Sequence, residues 1–178
     1  MIAVKVKLQN GGERDFVNFS ETENPGRLFV VEQLGDYRGK VVLDVGCGTH
    51  KCVPEAIGID IKPVTDIRAS AEKLDFKNDS VDIIISRHSF EHLLDPVQVL
   101  EEWIRILKPG GKIIFVLPDH AKIDTMQYVI GGGIHLHAYT SDSLKRLLGR
   151  FPELEVSEVR VVTKDWSFGA VATLKSCG

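Results

Sequence analysis

Cysteine is scarce in this chain: three in 178 residues, Cys47, Cys52 and Cys177. That number and spacing do not form the paired framework of a disulfide-stapled secreted domain. No apolar run approaches the roughly 20 residues that a membrane-spanning helix needs. A secretory leader pattern is also missing. The expected location is therefore the cytoplasm, with no membrane partner. Positive charge is not in excess either. The 22 Lys and Arg against 25 Asp and Glu leave a net charge of -3, so no global basic field recruits nucleic acid. Repeats and low-complexity tracts are absent. What is present is a globular composition, 43% hydrophobic and 26% charged, sufficient for one domain with its own core.

The chain is organised around Val41-Val42-Leu43-Asp44-Val45-Gly46-Cys47-Gly48-Thr49. The apolar, β-branched run predicts a buried strand, and it breaks into Gly-Cys-Gly. Glycine lacks a Cβ, so a ligand can approach the backbone there, and Asp44 stands just before the break. Upstream, residues 2–8 alternate apolar and polar, Asn10-Gly11 suits a tight turn, and residues 13–19 complete a hairpin. Asn24-Pro25 opens a helix running to Gly35. Residues 1–39 thus form a hairpin and helix appended to a core of residues 40–178.

Downstream, Ala56-Ile57-Gly58-Ile59 predicts a second strand ending in Asp60, and residues 64–67 a weak third. Val81-Asp82-Ile83-Ile84-Ile85 is apolar enough for a strand covered on both faces. Asp95-Pro96, with Gln98, marks a capped helix start, and Lys108-Pro109-Gly110-Gly111 marks its end. Residues 113–117 predict a fifth strand, 121–130 a helix closed by Gly131-Gly132-Gly133, and 141–148 another helix. Residues 154–162 and 167–174 predict a terminal antiparallel hairpin. Alternating strands and helices define an α/β sandwich with a mostly parallel sheet.

A glycine-rich turn after a strand serves dinucleotides as G-x-G-x-x-G, but Lys51 occupies the third glycine position. Five segments stand in order over roughly residues 40–117: Leu43 to Thr49, Gly58-Ile59-Asp60, Ala71 to Phe76 with Asp79 to Asp82, Ser86 to Leu94 with Glu91-His92-Leu93, and Ile106 to Gly111. Together they resemble the motifs of class I S-adenosylmethionine-dependent methyltransferases, type-11 branch. The resemblance implies a three-layer Rossmann-like fold and S-adenosylmethionine as cofactor. It implies that Gly46 and Gly48 receive the amino-acid end, with Asp44 holding its ammonium directly or through water. Cys47 fills the crowded turn. Asp60 accepts the ribose hydroxyls, Ile61 packs on adenine, and Ala71 and Glu72 stand at the adenine edge. Ser86 and Arg87 line the methionine side. Between Gly48 and Ile57 there is room for only a shortened helix or none, and Lys51 is the cation that would compensate at the carboxylate.

Of the six histidines, His88 is expected to face the acceptor pocket. His120, after the fifth strand, is a candidate base or acceptor contact, against a plain solvated loop residue. His92 is expected to be structural. His135 and His137 are expected to be packing or surface residues, or else the rim of the acceptor pocket. No complete metal-ligand motif is present, so no metal is expected. Trp103 is expected in the core, as are Trp166 and Phe168, although the last two could line a pocket. The glycine run predicts a mobile lid edge. The expected function is methyl transfer to an unidentified acceptor, a small molecule favoured, by a monomer or homodimer. The alternative is a non-catalytic, partner-binding subunit on the same fold, and a nicotinamide oxidoreductase is disfavoured by Lys51.

Overall fold

The computed structural model describes residues 4–16, 19–63, 65–126 and 134–176. Its strands are β1 Val4–Lys7, β2 Glu13–Phe16, β3 Val42–Val45, β4 Ile57–Asp60, β5 Ile67–Arg68, β6 Val81–Arg87, β7 Leu107–Pro118, β8 Leu154–Thr163 and β9 Ser167–Leu174. The helices are α1 Phe19–Leu34, α2 Pro96–Ile106 and α3 Ser141–Leu148. Seven strands make one sheet in the order β5-β4-β3-β6-β7-β9-β8, parallel through β7 and antiparallel at β9 and β8. β1 and β2 form a separate hairpin.

The near-continuous apolar character of β6 follows from cover on both faces. Ile83 and Ile85 pack on one side with Phe29, Val30 and Leu34 of α1, together with Ile114 and Val116 of β7. Val81 and Ile84 pack on the other with Leu100 and Trp103 of α2 and Leu144 and Leu148 of α3. A strand with period-two side chains and a helix layer on each side needs apolar residues at every position.

Helix ends follow local chemistry. The Asp95 carboxylate accepts the Val97 and Gln98 amides and Pro96 takes the first helical position, so α2 starts where its missing N–H costs nothing. Thr140 and Ser143 form a reciprocal capping box at α3.

Three boundaries differ from the sequence reading. α1 begins at Phe19 and carries Pro25 inside it, where the missing amide removes one helical hydrogen bond. Its later turns, anchored by Phe29, Val30 and Leu34 in the core, hold the helix on course. β7 starts at Leu107, because the pairing passes from Val81↔Leu107 to Ile83↔Lys112 and residues 108–111 bulge between them. The helix expected over residues 121–130 is not formed in its described part. Residues 121–126 are turns, with Ile123 bridged to Leu8 and the Gln9 amide donating to the Lys122 carbonyl. The N-terminal hairpin therefore reaches the segment after β7, and its backbone takes hydrogen bonds a helix would have used internally. Residues 127–133, with the glycine run and its expected lid, lie outside the described residues, as does Val64. Between β3 and β4 there is no helix, as the short spacing predicts.

Candidate active site

β3 lies between β4 and β6, so successive connections leave it in opposite directions. Such a switch point opens a crevice at the carboxyl ends of the strands. Here it holds a cleft of about 480 Å³. Gly46 adopts φ +75° and Gly48 φ +58°, a region that favours glycine. The Gly46 amide donates to the Ile59 carbonyl at 2.7 Å, and the Gly48 amide donates to Asp60 Oδ2 at 2.8 Å. From the β6 side, the Ser89 hydroxyl donates to the Val45 carbonyl at 2.8 Å. The turn is thus tied to both flanking strands.

Of the residues singled out in the sequence, Gly46, Cys47, Gly48, Asp60, Ile61, Ala71, Arg87 and His88 line this cleft. Asp60 is held from two directions, since its Oδ1 also accepts the Lys62 amide at 3.0 Å. A carboxylate offers about four lone-pair positions, so two remain for a ligand's hydroxyls. Burial and the nearby Asp44 and Asp60 carboxylates push the Cys47 thiol up to about 11, which suits a filler and not a nucleophile. Ala71 is fixed by α2, where the buried Trp103 indole donates to the Ala71 carbonyl at 3.1 Å. Glu102 accepts the Leu74 amide at 2.8 Å, and Arg105 spans Glu102, Leu74 and Phe76.

Five predicted residues stand elsewhere. Asp44 is 1% exposed and accepts the Cys52 amide at 2.6 Å, so it braces the loop beneath the turn. Burial raises its pKa to about 6. Lys51 pairs with Asp66 at 2.9 Å, because Asp66 is already fixed by the Gly58 amide and presents a nearby carboxylate. The Glu72 carboxylate takes the Ser70 hydroxyl outside the cleft. Ser86 is fully buried and bonds Ser89 at 2.8 Å, so it positions the residue that touches the turn. His120 contacts the Thr125 hydroxyl at 3.0 Å and does not line the cleft; Thr125 does.

The other half of the cleft joins His135 and Trp166, for which a place in a pocket wall was one of two readings of the sequence, to Glu91, His92, Thr125 and Ile134, for which it was not. Glu91 and His92, on a single 3₁₀ turn after β6, face Thr125, Ile134 and His135 across the opening, with Trp166 from the β8–β9 turn. Trp166 therefore combines burial with a place in the wall. His88 holds φ +51°, unusual for a side chain with a Cβ, and so turns into the cleft next to Glu91. Burial pushes the His135 imidazole below its ordinary value, favouring the neutral ring. The alternation Ile134-His135-Leu136-His137 was a usable signal, because it places His135 on one side and Leu136 on the other.

Comparison with known proteins places this arrangement. A family model described as a methyltransferase domain matches residues 25–151. The tocopherol O-methyltransferase of Arabidopsis thaliana is 30% identical over 144 residues, 66% of this chain and 41% of the relative. The ubiquinone biosynthesis O-methyltransferase of Aliivibrio fischeri is 31% identical over 117 residues, 52% of this chain and 50% of the relative. Among solved structures, a SAM-dependent methyltransferase from Aquifex aeolicus superposes with a TM-score of 0.69 at 20% identity, covering 88% of this chain and 94% of that one. The chain belongs to the methyltransferase domain family, with its Rossmann-like α/β fold and S-adenosylmethionine as the family's cofactor. It spans half or less of the length of the curated relatives named here.

The residues present fit that cofactor. A Cβ at Gly48 would meet nothing within 4 Å, so open space lies above the turn, while Asp60 waits with free acceptor positions at the end of β4. Gly46, Gly48 and Asp60 would hold the cofactor, with Ile61 and Ala71 beside them.

Proposed function

We propose that this protein transfers a methyl group from S-adenosylmethionine to a small-molecule acceptor, at a hydroxyl oxygen. The observation carrying this reading is the single cleft shared by the Gly46–Gly48 turn with its doubly anchored Asp60 and by the His88, Glu91 and His135 side chains. When bound, S-adenosylmethionine supplies an electrophilic methyl on a sulfonium; the difficult chemistry is its own. The protein contributes alignment and water exclusion, effects that alone can account for much of a rate. His88 stands where an acceptor proton can be taken, and Ile134 and Trp166 give apolar wall for a ring or chain. The hydroxyl acceptor follows the two relatives named as O-methyltransferases. Among the described residues, no helix is long and apolar enough to cross a membrane.

The test is transfer of label from methyl-labelled S-adenosylmethionine into fractionated small molecules, protein and RNA. Label in the small-molecule fraction supports the reading. Label only in protein or RNA overturns the acceptor class. Binding of the cofactor without transfer to any fraction returns the protein to a partner-binding role.

A further inference from the structure

We infer that Glu91, His92 and His135 form a binding site for a divalent transition-metal ion, zinc by its donor set, in the acceptor half of the cleft. One ligand atom from each lies within 4.8 Å of the other two. The residues come from two segments more than 40 positions apart in sequence, and the backbone fastens those segments together. The Glu91 carbonyl accepts the amides of both Leu136 and His137, and the His137 ring contacts the Leu93 carbonyl at 2.9 Å.

Glu91 motivates the assignment. Its side chain is 1% exposed, and among the described residues neither carboxylate oxygen has a hydrogen-bond partner. A buried carboxyl group without donors is strongly disfavoured unless something compensates it. The nearest basic atoms, His88 Nδ1 at 3.7 Å and His135 Nε2 at 3.9 Å, are too far for hydrogen bonds. The gap is the kind that a cation with bonds of ~2.0–2.2 Å fills, after closure on the order of 1 Å shared among the side chains.

The two imidazoles are already set for this role. His92 Nδ1 lies 2.9 Å from the Ile134 carbonyl, and His135 Nδ1 lies 2.7 Å from the Thr125 carbonyl. A carbonyl only accepts, so in each ring Nδ1 carries a proton, and the lone pair of the neutral imidazole is then on Nε2. An Nδ1–H bonded to a backbone carbonyl is the outer-shell contact that fixes metal-ligating histidines. His135 Nε2 is the atom that faces Glu91. The rings stand edge to face, with centroids 4.7 Å apart.

Two imidazoles and one carboxylate with an open side match catalytic zinc, whereas magnesium and calcium prefer all-oxygen shells. Resting on the methyl-transfer reading, the open position would take the acceptor's hydroxyl oxygen. The ion would lower that hydroxyl's pKa; the proton would pass to His88, the base of that reading, and on to solvent, and the oxygen would keep the electron pair as nucleophile.

The full chain, stripped with chelator, is titrated with Zn²⁺ by calorimetry and with Co²⁺ by visible absorption. Expected are one equivalent of Zn²⁺ and Co²⁺ bands of low coordination number. Both should weaken at least tenfold in Glu91→Gln, His135→Asn and the half-buried His92→Gln. Absence of stoichiometric binding, or equal binding in the folded variants, overturns the site. If Glu91→Gln does not fold, His92→Gln decides. S-adenosylhomocysteine binding on the same samples separates the two readings. Zinc lost with that binding retained removes only this inference; zinc bound without it removes only the methyl-transfer reading.

Discussion

Ser89 closes the space beside Gly46: a Cβ added to Gly46 would lie 2.2 Å from the Ser89 Cβ, closer than any real pair of carbons not bonded to each other. Gly46 also holds φ +75°, so a side chain there meets strain of two kinds. Gly46→Ala is expected to destabilise the fold by about 1–3 kcal/mol and to abolish measurable S-adenosylhomocysteine binding. Chemical denaturation and calorimetry on one preparation check both.

Asp60 joins the turn to the end of β4 through the Gly48 and Lys62 amides. Asp60→Ala removes those acceptors together with the sites offered to ribose hydroxyls. Hydrogen bonds to a charged group contribute roughly 1.5–3 kcal/mol. The expected loss in S-adenosylhomocysteine affinity is therefore about 10- to 100-fold, read by calorimetry. Asp60→Asn, which keeps one acceptor oxygen, should fall between wild type and Asp60→Ala.

Asp44 supplies a pH dependence. Its pKa rises from 3.8 to about 6 on folding, through burial. Between those values the native state binds more protons than the unfolded state, so stability falls as pH rises through that window. The effect amounts to at most about 3 kcal/mol, at 1.36 kcal/mol per pKa unit. Asp44→Asn keeps an acceptor for the Cys52 amide and removes the titration. Its melting temperature should vary less than that of wild type between pH 4 and 6.

Trp103→Phe should act at a distance. It leaves the Ala71 carbonyl without the indole donor, in a site where Trp103 is fully buried. A cost of about 1–3 kcal/mol in stability is expected, with weaker cofactor binding because Ala71 lines the cleft. A smaller loss of cofactor affinity than in Asp60→Ala, at equal thermal destabilisation, would mark the contact as support for the 71–76 loop.

Much of the fold was legible because its signals are local. The apolar runs at residues 42–45, 81–87 and 113–117 each contain enough β-branched surface to specify a strand covered on both faces. Asp95-Pro96 announces a helix start through its own cap. The Gly-Cys-Gly turn and the acid ending β4 were paired through the resemblance of their segments to methyltransferase motifs, and the structure joins them directly.

Other features depend on which groups meet in space. Asp44 looked like a cleft residue because it precedes the turn, yet strand geometry sends its carboxylate inward to the Cys52 amide. Lys51 looked available for a ligand until the chain folded Asp66 beside it. The continuation of α1 through Pro25 and the bulge in β7 were set by packing against neighbouring strands, which overrode local propensity.

The sequence by itself determined the strand-and-helix alternation, the turn at Gly46 and Gly48, and the carboxylate at Asp60, because hydrophobic periodicity, glycine and chain order are encoded within a few residues. Only the tertiary structure decided that His135 stands over Glu91 and His92. That contact joins the turn after β6 to a segment more than 40 residues later, through backbone hydrogen bonds that no local pattern specifies.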